Sequence, residues 1–188
     1  MARLTMIPPR PDDPALKPVL EKLIALRGPD FELPNLYRTL GISPPMLRAW
    51  IDFAWPLRLH ASSSRKTREL MILRGAQVSG TDYEWAHHVS LALEIGVTQQ
   101  QIDALSEWRE SPIFTAQEKA AIRLAEEVTE GPGASAECIE ALKKQFGDAE
   151  VVELVLTACF YVCVGRFLTS MDVELEPDHE HLRPANPS

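Results

Sequence analysis

Between Pro14 and Ser170 apolar residues return every third or fourth position, and glycine or proline interrupts them at short intervals, a pattern that prescribes a stack of short amphipathic helices. The first helix is expected from about Pro14 to Ala25, with Leu16, Val19, Leu20, Leu23 and Ile24 on one face and Gly28-Pro29 as its stop. A second begins near Pro34. A third runs from Met46 to about His60, striped by Leu47, Trp50, Ile51, Ala54 and Trp55, with Pro56 expected to kink or interrupt it. Ser62-Ser63-Ser64 opens a helix over 65–77. After Ser79-Gly80, Thr81 or Asp82 is expected to cap the next helix, which closes at Gly96, and the short hinge makes these two helices antiparallel neighbours. Thr98 to Gln101 and Thr115 to Glu118 read as capping boxes that start further helices. Gly131-Pro132-Gly133 ends the second of these, a helix from about Ala136 to Phe146 stops at Gly147, and Asp148 caps a long apolar helix to about Ser170. No strand is expected, although β-branched residues over 151–164 imitate one.

The breakers fall too close together for repeats and too regularly for a linker. Residues 1–188 therefore read as one all-α domain, a helix-bundle-like core over about 14–176 with irregular segments at 1–13 and 177–188. A chain of 188 residues can bury about 70% of its unfolded surface, enough for a core without staples. No run of about 20 unbroken apolar residues is present and Met1 to Arg10 carries no apolar signal core, so a soluble, cytoplasmic protein without a membrane partner is expected. A net charge of -8 would repel phosphate backbones, and Arg65-Lys66-Thr67-Arg68 is too short a basic cluster to reverse that, so no nucleic-acid partner is expected. The three cysteines, Cys138, Cys159 and Cys163, form no Cys-x-x-Cys and suggest neither a disulfide framework nor a zinc knuckle. Cys159 and Cys163, four apart on the apolar helix, are expected to pack into the core as inert thiols.

Thr81, Glu84 and His88 stand at offsets 0, 3 and 7, which puts a hydroxyl, an acid and a base on one helix face. Tyr83 and His87 share another face. By spacing alone the Glu-His pair reads first as a solvated pair. Glu84 and His87 form a Glu-x-x-His spacing that suits a metal, but no His-x-x-x-His accompanies it, so no metal and no cofactor is assigned. His179 and His181, beside Glu176, Asp178 and Glu180, read as solvated residues of the tail.

Arg68-Glu69-Leu70 through Gly80, then Tyr83-Glu84-Trp85-Ala86-His87-His88 and Ala92-Leu93-Glu94-Ile95-Gly96-Val97-Thr98, resemble the signature segment of the carboxymuconolactone decarboxylase and alkylhydroperoxidase family. Flanking pieces agree in order and spacing: Leu40 to Trp50, Phe114 to Glu118, and Val164-Gly165-Arg166-Phe167. The resemblance spans about 33–176. It implies the all-helical AhpD-like fold, assembled as trimers or hexamers, and the apolar faces of six or more helices likewise lead one to expect a homo-oligomer. The redox branch of that family carries a glutamate one helix earlier and then Cys-x-x-Cys-x-x-x-His. In this chain Glu69 falls on the glutamate and His88 on the histidine, while Thr81 and Glu84 occupy the two cysteine positions. Neither a hydroxyl nor a carboxylate can attack peroxide and resolve a sulfenic acid, so CxxC-dependent peroxidase activity is not expected.

What remains is acid and base chemistry of the decarboxylase type on a small acidic substrate, such as a carboxylated lactone or another intermediate of aromatic breakdown. Glu69, Glu84 and His88 are the catalytic candidates, with His88 as acid because its ordinary pKa of about 6.5 lies nearest neutrality. Thr81, Arg74, Arg166 and His60 are the substrate-binding candidates, Arg166 having as its rival role an ion pair with a buried acid such as Glu69 or Glu153. Two other readings stay open: a peroxidase using Cys159 or Cys163, and a silent oligomeric scaffold.

Overall fold

The computed structural model describes residues 2–184, which form nine α-helices and no strand. They are α1 (Lys17–Arg27), α2 (Asn35–Leu40), α3 (Pro44–Leu59), α4 (Arg65–Ser79), α5 (Asp82–Glu94), α6 (Gln99–Asp103), α7 (Ala116–Glu130), α8 (Ala136–Lys143) and α9 (Asp148–Met171). Helix α4 is the hub, packing against α5, α7 and α9. This is why Leu70, Met71, Ile72, Leu73 and Ala76 are all buried although they point in every direction around the helix. Around it lie three apolar clusters: one joins α1 to α3 with α9, one joins α4 and α5 to Trp108 and Phe114, and one joins α7, α8 and α9.

Helix ends follow the local chemistry more closely than the periodicity. Helix α1 starts at Lys17 because proline in its first turn needs no N–H partner, and Pro56 does not interrupt α3, which runs on to Leu59. Both capping boxes are present, at Thr98 with Gln101 and at Thr115 with Glu118. Helix α8 stops at Lys143, one turn short of Phe146. Gly80 takes the left-handed conformation at φ 64, turning the chain from α4 into α5. Thr81 occupies the N-cap position of α5 without capping it, since its hydroxyl lies 2.9 Å from that of Ser79.

Helix α9 is the spine, with Leu154, Ala158, Tyr161, Gly165 and Leu168 turned inward. By length and composition it could cross a membrane, with a mean hydropathy of 1.9 over its most apolar window, of which 50% is buried inside the fold. Its outer face corrects one expectation: Cys159 and Cys163 are exposed beside Val152 and Leu156, because that face meets no other helix, and the packed cysteine is Cys138. The segment after α9 corrects another. Residues 173–184 do not trail into solvent but fold back on α5, with Leu175 buried and a short 3-10 turn at Glu180–Leu182. Residues 185–188 of the expected tail lie outside the described residues.

Glu153 of α9 ties the start of α4 to the spine, accepting from the Ser62 N–H at 3.0 Å and the Ser63 N–H at 2.9 Å. Partial burial pushes its carboxyl up, but these hydrogen bonds outweigh it and hold the pKa at about 2. The stability it lends is therefore complete above the ordinary value of 4.5 and is lost as pH falls toward about 2. Glu153→Ala is expected to cost about 1–2 kcal/mol at neutral pH in urea unfolding, and the deficit should shrink as pH falls through that window.

Candidate active site

The hairpin of α4 and α5 sets two buried side chains face to face: His88 Nδ1 lies 2.6 Å from Glu69 Oε2, with Glu69 0% and His88 5% exposed. Arg65, one turn before Glu69, donates to its other oxygen at 2.7 Å. Burial pushes the Glu69 carboxyl up, but His88 and the Arg65 guanidinium more than offset this and hold it at about 2. Burial moves His88 in the opposite direction to Glu69's attraction and wins, lowering its pKa below the usual imidazole value. The pair is thus an ionised carboxylate accepting from the Nδ1–H of a neutral imidazole, which leaves Nε2 as a lone-pair acceptor. The ring is held edge-on to Tyr161, 4.9 Å between centroids.

Glu84, one turn before His88, is 3% exposed, and burial raises its pKa well above 4.5, so the carboxyl is neutral in the fold. It stands in a wall between two cavities. The larger, about 450 Å³, is bordered by Thr81, Glu84, Tyr161 and Arg166. The smaller, about 130 Å³, is bordered by Trp55, Arg58, Glu84, His88 and Tyr161, with Tyr37 and Trp50 adding aromatic surface. The wall is thin because α9 presents Gly165 here: a methyl group at that position would lie 2.9 Å from Thr81 Oγ1 and 3.5 Å from Glu84 Oε2.

Among the described residues three buried side-chain atoms have no hydrogen-bond partner: Trp55 Nε1, Arg58 Nε and Glu84 Oε2. All three belong to residues bordering the smaller cavity. An unsatisfied buried polar group costs about 1–3 kcal/mol, so three such groups on residues that share one cavity make it a candidate site for a polar ligand.

Glu69, Glu84, His88 and Thr81 are thus brought together, Thr81 on the larger cavity. Arg166 is exposed at that cavity's border, and the acids proposed as its ion-pair partners are engaged elsewhere, Glu69 by Arg65 and His88 and Glu153 by the serines. Arg74 lies away from both cavities, donating to Glu126 at 2.7 Å in a network with Trp108 and Arg109. His60 is exposed at the end of α3, and it is Arg58, two residues earlier, that turns inward. Cys159 and Cys163 border neither cavity. Trp55, Arg58 and Tyr161 were not singled out for chemistry from the sequence. Their signal is weak: Trp55 and Arg58 at i, i+3 on one face of α3, and one tyrosine beside Phe160 in an apolar stretch of α9.

The site is thus an all-helical hairpin in which a glutamate on one helix holds a histidine on the next, with no cysteine on either helix. Residues 44–127 match the carboxymuconolactone decarboxylase family. An uncharacterised protein of Bacillus subtilis, YdfG, is 33% identical over 98 residues, covering 51% of this chain and 67% of that one. The chain belongs to the carboxymuconolactone decarboxylase family. Among solved structures it is similar to a debrominase in complex with 2,3,4-tribromopyrrole, at TM-score 0.79 and 19% identity over 97% of both chains. It is also similar to an alkylhydroperoxidase AhpD core, an uncharacterised peroxidase-related protein of Ralstonia eutropha, at TM-score 0.74 and 15% identity over 98% of this chain and 100% of that one. At such identities these likenesses establish the fold.

The neutral state of Glu84 has a measurable sign. The folded chain keeps a proton that the unfolded chain releases above about pH 4.5, so wild-type stability falls as pH rises from there toward the raised pKa. Glu84→Gln removes this dependence. The stability gap in favour of the variant should be wider at about pH 7 than at about pH 5, growing by at most about 1.4 kcal/mol per pH unit for one proton. An equal gap at both pH values would mean that Glu84 is not held neutral.

Proposed function

We propose that the protein is a thiol-independent lyase of the carboxymuconolactone decarboxylase type, acting in the smaller cavity on a compact carboxylated ring such as an unsaturated lactone. The observation that carries this is the set of three unpartnered buried atoms on residues that share one cavity, two N–H donors and one carboxyl oxygen. A decarboxylation needs those parts. As the bond to the departing carboxylate breaks, its electron pair flows into a conjugated carbonyl, whose oxygen gains charge and takes hydrogen bonds from Trp55 Nε1–H and Arg58 Nε–H. Carbon dioxide leaves, and the carbanion-like carbon takes a proton from Glu84, which solvent then restores.

The roles differ from those the sequence suggests. Glu84, neutral by burial, is the acid, and His88, neutral and fixed by Glu69, accepts a substrate hydroxyl or acid proton at Nε2. At about 130 Å³ the cavity is well below the roughly 300–1,000 Å³ of sites for larger ligands, which favours a single ring. The ligand named for the debrominase, 2,3,4-tribromopyrrole, is also a single small ring. A silent scaffold gains nothing from three costly buried groups, and a peroxidase relying on Cys159 or Cys163 would have its thiols away from both cavities.

Turnover of carboxylated unsaturated lactones, followed by carbon dioxide release and ultraviolet absorbance, tests the reading. Glu84→Gln and His88→Ala are each expected to lower kcat/KM by about 100-fold or more, while replacement of all three cysteines by serine leaves it unchanged. No turnover by the wild-type chain across a panel of such lactones would overturn the assignment, and unchanged turnover in His88→Ala would remove His88 from it.

We further propose that copies of the chain associate through the outer face of α9, where Val152 is 58% and Leu156 42% exposed. Sedimentation should show a trimer or hexamer that Val152→Glu with Leu156→Glu weakens, and a monomeric wild type would sink this.

A further inference from the structure

His87 points away from the Glu69 pair and meets the segment that folds back after α9. Its Nε2 lies 2.6 Å from Glu176 Oε2, its ring stacks on that of Tyr83 at 4.5 Å, and on its other side it stacks on His179 at 4.2 Å. One ligand atom from each of His87, Glu176 and His179 falls within 4.8 Å of the others, and all three residues are half-buried. We propose that these three side chains bind a divalent transition-metal ion of the zinc class. Two imidazole nitrogens and one carboxylate oxygen are a donor set that zinc accepts while keeping a fourth position for water or substrate.

The groups behind the three donors carry the inference further than their proximity. Glu176 Oε1 is already taken, receiving the Asn35 N–H at 2.6 Å and the Tyr83 hydroxyl at 2.9 Å, so the carboxylate is locked with Oε2 turned to His87. His179 Nδ1 lies 3.0 Å from Asp178 Oδ1, so its Nδ1–H is held by a carboxylate and Nε2 is the free lone pair. A ligand carboxylate fixed by its other oxygen, and a ligand histidine oriented by a carboxylate, are the supports that metal sites require behind the ligands themselves. Glu176 and His179 add a Glu-x-x-His spacing within the folded-back segment. The two imidazole planes lie 21° apart, with their centroids 4.2 Å from one another. In-plane lone pairs of stacked rings run parallel, so a turn of the half-buried His179 ring, which lies outside the α-helices, is the adjustment that lets both nitrogens face one ion.

The site would clamp residues 173–184 onto α5 at the border of the smaller cavity, which His87 also lines. It uses no residue of the proposed acid and base chemistry, so the two readings stand or fall separately.

Isothermal titration of the full chain with zinc chloride, after chelator treatment, tests it. The exposed thiols are controlled by running Cys159→Ser with Cys163→Ser as background. One zinc per chain is expected in wild type and in that background. His179→Ala, which lies outside the α-helices and should leave the helical circular dichroism unchanged, and Glu176→Gln should each weaken binding by at least about tenfold, and Asp178→Asn by roughly tenfold. Absence of zinc binding, equal binding in His179→Ala, or loss of binding in the Cys159→Ser with Cys163→Ser background would each overturn the proposal.

Discussion

The buried hydrogen bond between Glu69 and His88 is the contact on which the rest of the architecture depends. It joins α4 and α5 across the Gly80 hinge, and α4 is the helix against which α5, α7 and α9 all pack. A carboxylate with no exposed surface is tolerated only because Arg65 and His88 engage its two oxygens, and stripping a partner from such a buried charge costs about 3–5 kcal/mol. The same contact fixes which nitrogen of His88 carries the proton and which faces the cavity. Fold and chemistry thus share one constraint.

How much of this was legible in the sequence depended on the range of the interaction that decides each feature. The capping boxes at Thr98 and Thr115 are local, set by side chains three residues apart, and they appear where the spacing places them. The juxtaposition of Glu69 with His88 followed from a short hinge and a family pattern. The exposed face of α9 was misread because a helix with Val, Leu and Cys on every side shows no periodicity to say which face is outward. The folded-back segment was misread because its anchors, Asn35, Tyr83 and His87, are distant in sequence and only the tertiary fold delivers them to Glu176. Arg58 was overlooked for the same reason, since a helix-end arginine looks solvated until Tyr161 is seen 3.3 Å from it.

Thr81 and Glu84, at positions where the family resemblance implies thiols in the redox branch, alter the environment as much as the chemistry. A carboxyl at position 84 is larger and more costly to bury, and the fold meets that cost by keeping it protonated. The family match covers residues 44–127 and supplies Trp55, Arg58, Glu69, Glu84 and His88, whereas Tyr161 and Gly165 come from α9 beyond it. The cavity is therefore composed jointly by the family segment and the helix that closes over it.

Gly165 draws out what that joint composition demands. With Thr81 Oγ1 only 2.9 Å from where its first side-chain carbon would stand, position 165 accepts a larger residue only if position 81 or 84 gives up volume. Three positions on two helices, far apart along the chain, therefore behave as one unit of sequence change. A single methyl group on α9 would thus decide how much room the Thr81 hydroxyl and the Glu84 carboxyl have.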